Sequence, residues 1–229
     1  VDRLTRGVDS LLKKNKIEQF KGAGIIKDPH TVQVDGAELS TKNVIVATGA
    51  RERQLPSLPI DREVVITSRE ALELREVPSR VVIVGGGATG AEFAYIYRTY
   101  GAEVTIVELL PRLVPNEDEE VSRHLERAFS KQGITSMTGA RVDGIEVDGG
   151  RARVSVSVGN ESVSIECDKV LVAVGVQGNV EYIGLEAVEV QTDKGFIGVD
   201  DRMQTSVPGI YAVGDVSGKL ALAHVASAQ

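Results

Sequence analysis

The stretch Val81-Val82-Ile83-Val84-Gly85-Gly86-Gly87-Ala88-Thr89-Gly90-Ala91-Glu92 constrains the fold more than any other part of this chain. Four β-favouring apolar residues run directly into Gly85-x-Gly87-x-x-Gly90, and a helical pattern follows to about Tyr100. Each glycine has a separate physical task. Gly85 permits the tight turn off the strand, Gly87 lets the backbone approach a pyrophosphate, and Gly90 lets the helix pack close to the strand. The helix N-terminus then faces the anion. A glycine-rich turn alone is weak evidence; the strand before it and the helix after it give it meaning. A second strand, Val104-Thr105-Ile106-Val107, ends in Glu108, about 20 residues on, where a carboxylate suits ribose hydroxyls. NAD is expected rather than NADP, because Glu108 would repel a 2′-phosphate.

With 229 residues the chain can hold one large domain or two ordinary ones. Its net charge of −7, and the lack of a basic patch interleaved with aromatics, argue against a nucleic-acid partner. No apolar run approaches the ~18 residues of a membrane span. The start, Val1-Asp2-Arg3-Leu4-Thr5-Arg6, has neither an initiator Met nor a signal peptide's apolar core, and reads as a piece of a longer protein. One cysteine, Cys167, excludes an internal disulphide and reads as a structural thiol at a strand end. The expected compartment is a reducing one, the cytoplasm.

Leu4, Val8, Leu11 and Leu12 stand at helical spacing. Ile17 to Phe20 read as a strand, and 31–34 with 37–39 as a hairpin about Asp35-Gly36. Asn43 to Ala47 read as a buried strand ending in Thr48-Gly49-Ala50, where small residues allow close approach. Pro56, Pro59 and the charged run 61–63 suggest a linker, and Ser68 a helix cap. After Glu108, the run Asn116-Glu117-Asp118-Glu119-Glu120 could suggest a metal site. It is better read as a helix start, with Asn116 as N-cap, and Gly133 ends that helix. Five strands follow between 134 and 174. Two in the middle alternate as an antiparallel insert would, and 170–174 reads as a central parallel strand. A strand at 210–213 leads to Gly214-Asp215, which reads as an exposed turn with a carboxylate, and a small-residue helix starts near His224. His30 and His124 read as solvent-facing.

With these segments in view, the chain resembles the flavin-dependent pyridine nucleotide–disulphide oxidoreductases, and among them the dihydrolipoamide dehydrogenase branch. The resemblance runs over nearly the whole chain. It rests jointly on Val46 to Arg51, Gly85 to Glu92, Val107 to Arg112, Pro115 to Asp118, Tyr211 to Asp215 and Leu222 to Ala226. It implies an α/β fold in which a NAD-binding Rossmann-like domain, three-layered with a small antiparallel insert, interrupts an FAD-binding Rossmann-like domain. The implied limits are 1–56 and 185–229 for the FAD domain and 57–184 for the NAD domain.

The resemblance also implies roles. Gly85, Gly86, Gly87, Ala88, Thr89 and Gly90 would hold the NAD pyrophosphate. Glu92 would lie near the nicotinamide, Glu108 on the adenosine ribose, Val142 against the adenine, and Gly175 along the nicotinamide side. Gly24, Thr48, Gly49 and Ala50 would approach FAD. Asp215 would bind the ribityl chain, a role that suits a buried, hydrogen-bonded carboxylate, and Ala221, Leu222, Ala223 and His224 would contact the isoalloxazine end. Implied partners are dihydrolipoamide on a lipoyl domain of a 2-oxo acid dehydrogenase complex, and a second copy in a homodimer.

The chain also departs from the family pattern. The first FAD fingerprint, the pair of redox cysteines and the dimerisation domain with its catalytic His are not among these residues, so no catalytic residue is assigned. Val176-Gln177-Gly178-Asn179 stands where an Arg-x-Pro-Asn pattern is common. The expectation is the central, inactive portion of a lipoamide dehydrogenase. The alternatives are an NADH oxidase or mercuric reductase type, or a non-catalytic nucleotide-binding module.

Overall fold

The computed structural model describes residues 2–229. They form two compact units, one of residues up to 51 with 177–229 and one of residues 52–176. The chain therefore crosses between units at 51/52 and 176/177, shortly before the 56/57 and 184/185 that the resemblance implies.

The first segment contains α1 (Asp2–Lys14), β1 (Gly24–Asp28), β2 (Thr31–Val34), β3 (Ala37–Ser40), β4 (Val44–Val46) and β5 (Ala50–Glu52). The strand expected at 17–20 is absent. Its β-favouring side chains find no neighbouring edge, and Ile17 and Phe20 are exposed. The antiparallel set β1-β2-β3 carries the expected hairpin, with Val34 opposite Ala37 across the Asp35-Gly36 turn.

The middle segment contains β6 (Val65–Ile66), α2 (Ser68–Glu73), β7 (Arg80–Val84), α3 (Ala88–Thr99), β8 (Glu103–Glu108), α4 (Glu119–Gln132) and β9 (Ile134–Thr138). It continues with β10 (Ala140–Asp148), β11 (Arg151–Val158), β12 (Glu161–Cys167) and β13 (Lys169–Val172). Five of these strands form a parallel sheet in the order β6-β13-β7-β8-β9. Side chains alternate across it, as strand geometry requires. Val81, Ile83, Val104, Ile106 and Leu171 share a core with Phe93, Ala94, Tyr97 and Phe129 of the helices. Val82, Val84, Val107, Val170 and Val172 share another with Ala152, Val154, Val156 and Cys167 of the antiparallel sheet β10-β11-β12. The unit is thus three layers: helices, parallel sheet, antiparallel sheet. Burying each large apolar side chain contributes ~1.5–3 kcal/mol, so the doubly covered central strands hold the unit together.

Three local details differ from the sequence reading. The helix after the linker is capped by Thr67, not Ser68; Thr67 and Glu70 form a capping box, in which Glu70 Oε2 accepts the Thr67 N–H at 3.0 Å. The segment read as linker includes β6. Its entry is set by Asp61, one carboxylate oxygen of which accepts the N–H groups of Glu63, Val64 and Val65 at 2.8, 2.7 and 2.9 Å. The N-cap of α4 is Asp118 rather than Asn116, because Glu117 N–H donates to Val114 O at 2.9 Å and keeps the chain in a turn two residues longer. Gly133 ends α4 in the left-handed region, φ 79°, as expected.

The last segment contains β14 (Val176–Gly178), β15 (Thr192–Asp193), β16 (Phe196–Ile197), β17 (Ile210–Ala212), a 3-10 turn at Gly214–Ser217 and α5 (Ala223–Ala228). β17 runs parallel to β4, with Ile210 opposite Val44 and Ala212 opposite Val46. Around this pair, Ile26, Val44, Val46, Leu185, Ile197, Ile210 and Val216 form the core of the first unit.

Cys167 is buried, and burial pushes its thiol from 9.0 up to about 11. A folded chain keeps a proton that the unfolded chain gives up. Stability is therefore expected to fall as pH rises from about 9 to about 11. The native thiol should resist a thiol-specific reagent at pH 8 and react stoichiometrically once the protein is unfolded in denaturant. Rapid native labelling would contradict the burial.

Candidate functional site

The Gly85–Gly90 turn sits where β7 ends and α3 begins, and each glycine meets a different neighbour. Gly85 adopts φ +108°, and a Cβ there would stand 2.3 Å from Ala173 O. Gly90 is closed by the start of the turn itself, since a Cβ would fall 1.9 Å from Gly85 O. Gly87 differs from both. It caps α3 in an extended conformation, φ −71° and ψ −171°, and nothing lies within 4 Å of where its Cβ would be. The open side of the turn is at Gly87, beside Ala88 and Thr89, which are exposed. The N–H groups of a first helical turn lack intrahelical acceptors and carry the positive end of the helix dipole. The arrangement is suited to an anion.

Glu108 ends β8, which pairs with β7 with Val107 beside Val84. This register carries the carboxylate to the turn. It is 7% exposed; Oε2 accepts the Gly86 N–H at 2.5 Å and Oε1 accepts the Leu110 N–H at 2.7 Å. An ionised carboxylate has about four acceptor positions, so two donors leave capacity for a hydroxyl group. Gly175 lies just beyond β13, whose Val172 pairs with Val84, and so comes to the same C-terminal edge of the sheet. Its φ is +97°, and its carbonyl accepts the Arg53 N–H at 3.0 Å. Ligands of open α/β sheets bind outside this edge. Glu92 is exposed on α3, while Val142 is half-buried on β10 at a bulge between 142 and 144.

The other expected residues lie in the first unit. Thr48, Gly49 and Ala50 leave the C-terminal end of β4, and Gly214-Asp215 the same end of β17. Residues 177–181, which sequence reasoning left without a role, pin this loop. Thr48 Oγ1 donates to Asn179 O at 2.7 Å, and Asn179 Nδ2 returns a bond to Thr48 O at 2.9 Å. Asn179 N–H donates to Gly49 O at 3.0 Å. Arg51 forks onto Glu181 at 2.9 and 2.6 Å and also donates to Asn179 Oδ1 at 3.0 Å. These bonds from Arg51 hold the Glu181 carboxyl at about 2. The Asn in Gly178-Asn179 was the one available signal, since it keeps its place where the neighbouring family pattern is lost.

Asp215 is exposed at the start of a 3-10 turn, in line with its reading as an exposed turn; the buried, hydrogen-bonded setting that would suit a ribityl-binding carboxylate is not formed among the described residues. The strand ahead of it ends at Ala212, which lifts Gly214 and Asp215 out of the core. Gly24, at the start of β1, is exposed, as are Ala221, Leu222, Ala223 and His224 around the start of α5. His30 and His124 are exposed; His30 Nδ1 lies 3.2 Å from Thr41 O, and His124 reaches Glu120 at 4.0 Å. Among the described residues no group of three or more His, Cys, Asp or Glu side chains could hold a metal ion. None of their helices is long and apolar enough to cross a membrane.

Residues 1–229 match the family described as pyridine nucleotide-disulphide oxidoreductase. The chain is 46% identical to a dihydrolipoyl dehydrogenase of Chlorobaculum tepidum, over 98% of this chain and 49% of that protein. It is 41% identical to a dihydrolipoyl dehydrogenase of Bacillus subtilis, over 99% of this chain and 51% of that one. Among solved structures, LpdA of Mycobacterium tuberculosis superposes with a TM-score of 0.81 at 33% identity, covering 91% of this chain and 47% of the other. The chain spans about half the length of the curated relatives it matches.

The glycines divide into two kinds. Gly90→Ala is expected to cost ~1–3 kcal/mol of stability by overpacking against the turn. Gly87→Ala is expected to cost ~1 kcal/mol or less, as a change of N-cap in open space. Denaturant unfolding of both variants checks this; equal losses would show that Gly87 is not open.

Proposed function

Because the chain belongs to the pyridine nucleotide–disulphide oxidoreductase family, we propose that it is the nucleotide-binding portion of a dihydrolipoamide dehydrogenase. In this reading the unit of residues 52–176 binds NAD(H), and the unit of residues up to 51 with 177–229 supplies part of an FAD cradle. The observation that carries it is the pairing of an open, positively polarised turn at Gly87 with the Glu108 carboxylate at the same sheet edge.

Gly87 and the first-turn N–H groups of Ala88 and Thr89 take the pyrophosphate, with Gly85, Gly86 and Gly90 shaping the turn beneath it. Glu108 accepts from the adenosine ribose and disfavours a 2′-phosphate. Val142 is assigned to the adenine, and Glu92 and Gly175 to the nicotinamide side. For the flavin, Gly49 fits a close approach, with φ +70° and nothing within 4 Å of its Cβ position. Thr48 and Ala50 flank it, and the exposed Asp215 offers a carboxylate to hydroxyl groups. Gly24 and Ala221 to His224 complete the assignment.

In the complete protein, dihydrolipoamide would be oxidised to lipoamide as NAD⁺ becomes NADH and H⁺. A bound flavin and a redox disulphide supply the two-electron chemistry. The disulphide does not come from these 229 residues, which hold one cysteine, itself buried. The substrate would arrive on the lipoyl domain of a 2-oxo acid dehydrogenase complex, and the complete protein would be a cytoplasmic homodimer. The names of the relatives favour this reading over an NADH oxidase or a mercuric reductase.

The chain is expected to bind NADH at least ~10-fold more tightly than NADPH, because a phosphate beside a buried carboxylate loses ~1.4 kcal/mol or more. It is expected to give no NADH from dihydrolipoamide and NAD⁺. Fluorescence titration with both nucleotides and absorbance at the NADH band check the two statements. Equal affinities would remove Glu108 from the ribose, and dihydrolipoamide-dependent NADH formation would contradict the account of the missing disulphide.

A further inference from the structure

The groups that hold the glycine turn from behind come from the end of β8 and the loop after it. Gly86 is buried, and both its backbone polar groups are committed. Its N–H donates to Glu108, and its carbonyl accepts the Val114 N–H at 2.7 Å. The direction in which a side chain would grow is also occupied. A Cβ on Gly86 would stand 2.6 Å from Leu113 Cδ2 and 3.1 Å from the Cβ of Glu108.

Leu113 is not a flexible arm that could swing away. It is 0% exposed and belongs to the core that contains Ile83, Ile106 and Phe129. Its own N–H donates to Glu126 Oε1 on α4 at 2.9 Å. Val114 next to it holds φ +41°, a left-handed conformation that a β-branched residue adopts only when its surroundings impose it. That conformation accompanies the Val114 N–H bond to Gly86 O, while Val114 O accepts Glu117 N–H. The middle of the turn is therefore enclosed by Glu108, Leu113 and Val114, and its outer lip at Gly87 is left open.

We infer that Leu113 is a positioning residue for the dinucleotide site, its side chain filling the volume that a Cβ at position 86 would need. Residue sizes at 86 and 113 are then coupled, and together they set how Gly87 and the first-turn N–H groups present themselves to a pyrophosphate. Loss of Leu113 bulk lets the turn sag, and added bulk at 86 pushes it out; either displaces donors whose value depends on placement. This deepens the NAD(H) reading of the turn and rests on it.

A double-mutant cycle on the 229-residue chain, read as the NADH dissociation constant by fluorescence titration, tests the inference. Leu113→Ala is expected to weaken binding ~5–10-fold and Gly86→Ala ~10-fold, whereas the double variant returns to within ~3-fold of the wild type. Val154→Ala, which removes buried bulk on the other face of the sheet, should lower the melting temperature and leave affinity within ~2-fold. If Leu113→Ala does not fold, Leu113→Val carries the same test with a smaller loss. Unchanged affinity in the Leu113 variants, or losses that simply add in the double variant, would overturn the positioning role while wild-type binding keeps the nucleotide reading. A wild-type chain that does not bind NADH overturns both.

Discussion

The bond from the Gly86 N–H to the Glu108 carboxylate, 2.5 Å long and buried, is the constraint on which the glycine turn of the unit of residues 52–176 depends. It exists because β7 and β8 run parallel in a register that places Val84 beside Val107 and so brings both strand ends to one edge. A buried carboxylate without donors would be costly. Here it is held by two backbone N–H groups, which also fix the glycine turn. One group therefore does two jobs: it stabilises the turn, and it stands where the ribose of a dinucleotide is expected.

Around that bond the unit is layered so that the edge stays open. Helices cover one face of the parallel sheet and the β10-β11-β12 sheet covers the other. The C-terminal strand ends emerge between these layers with Gly85, Glu108 and Gly175. The first unit repeats the theme on a smaller scale. Its parallel pair of β4 and β17 delivers Thr48 to Ala50 and Gly214-Asp215 to one end, and the bonds of Asn179, Arg51 and Glu181 fix the first of these loops.

Much of this was legible in the sequence wherever the signal is local. The apolar run Val81 to Val84, the spacing of Gly85, Gly87 and Gly90, and Glu108 at the end of the next strand together specify strand, turn, helix and strand. The alternation Ala152, Val154, Val156 against Arg151 and Arg153 marks an antiparallel strand with one covered face. What escaped depends on partners distant in the chain or on competition between caps. Ile17 to Phe20 have strand propensity but no edge to join. Asn116 is a good cap in isolation, yet the turn at Val114 to Glu117 postpones the helix to Asp118. The parts played by Leu113 and Val114 arise only once the loop folds back beneath Gly86, and no spacing rule reveals that. By contrast, Asp215 was legible as a carboxylate in an exposed turn, because Gly-Asp directly after an apolar strand is a local signal.

The most direct test of the central claim is an amide chemical-shift titration of the isotopically labelled chain with NAD⁺. The account predicts that the largest saturable shifts fall on Gly85 to Gly90 and on Glu108 to Leu110, with smaller ones near Gly175. Shifts centred elsewhere, or no saturable shift at millimolar nucleotide, would contradict the assignment of the turn and Glu108 as the dinucleotide site.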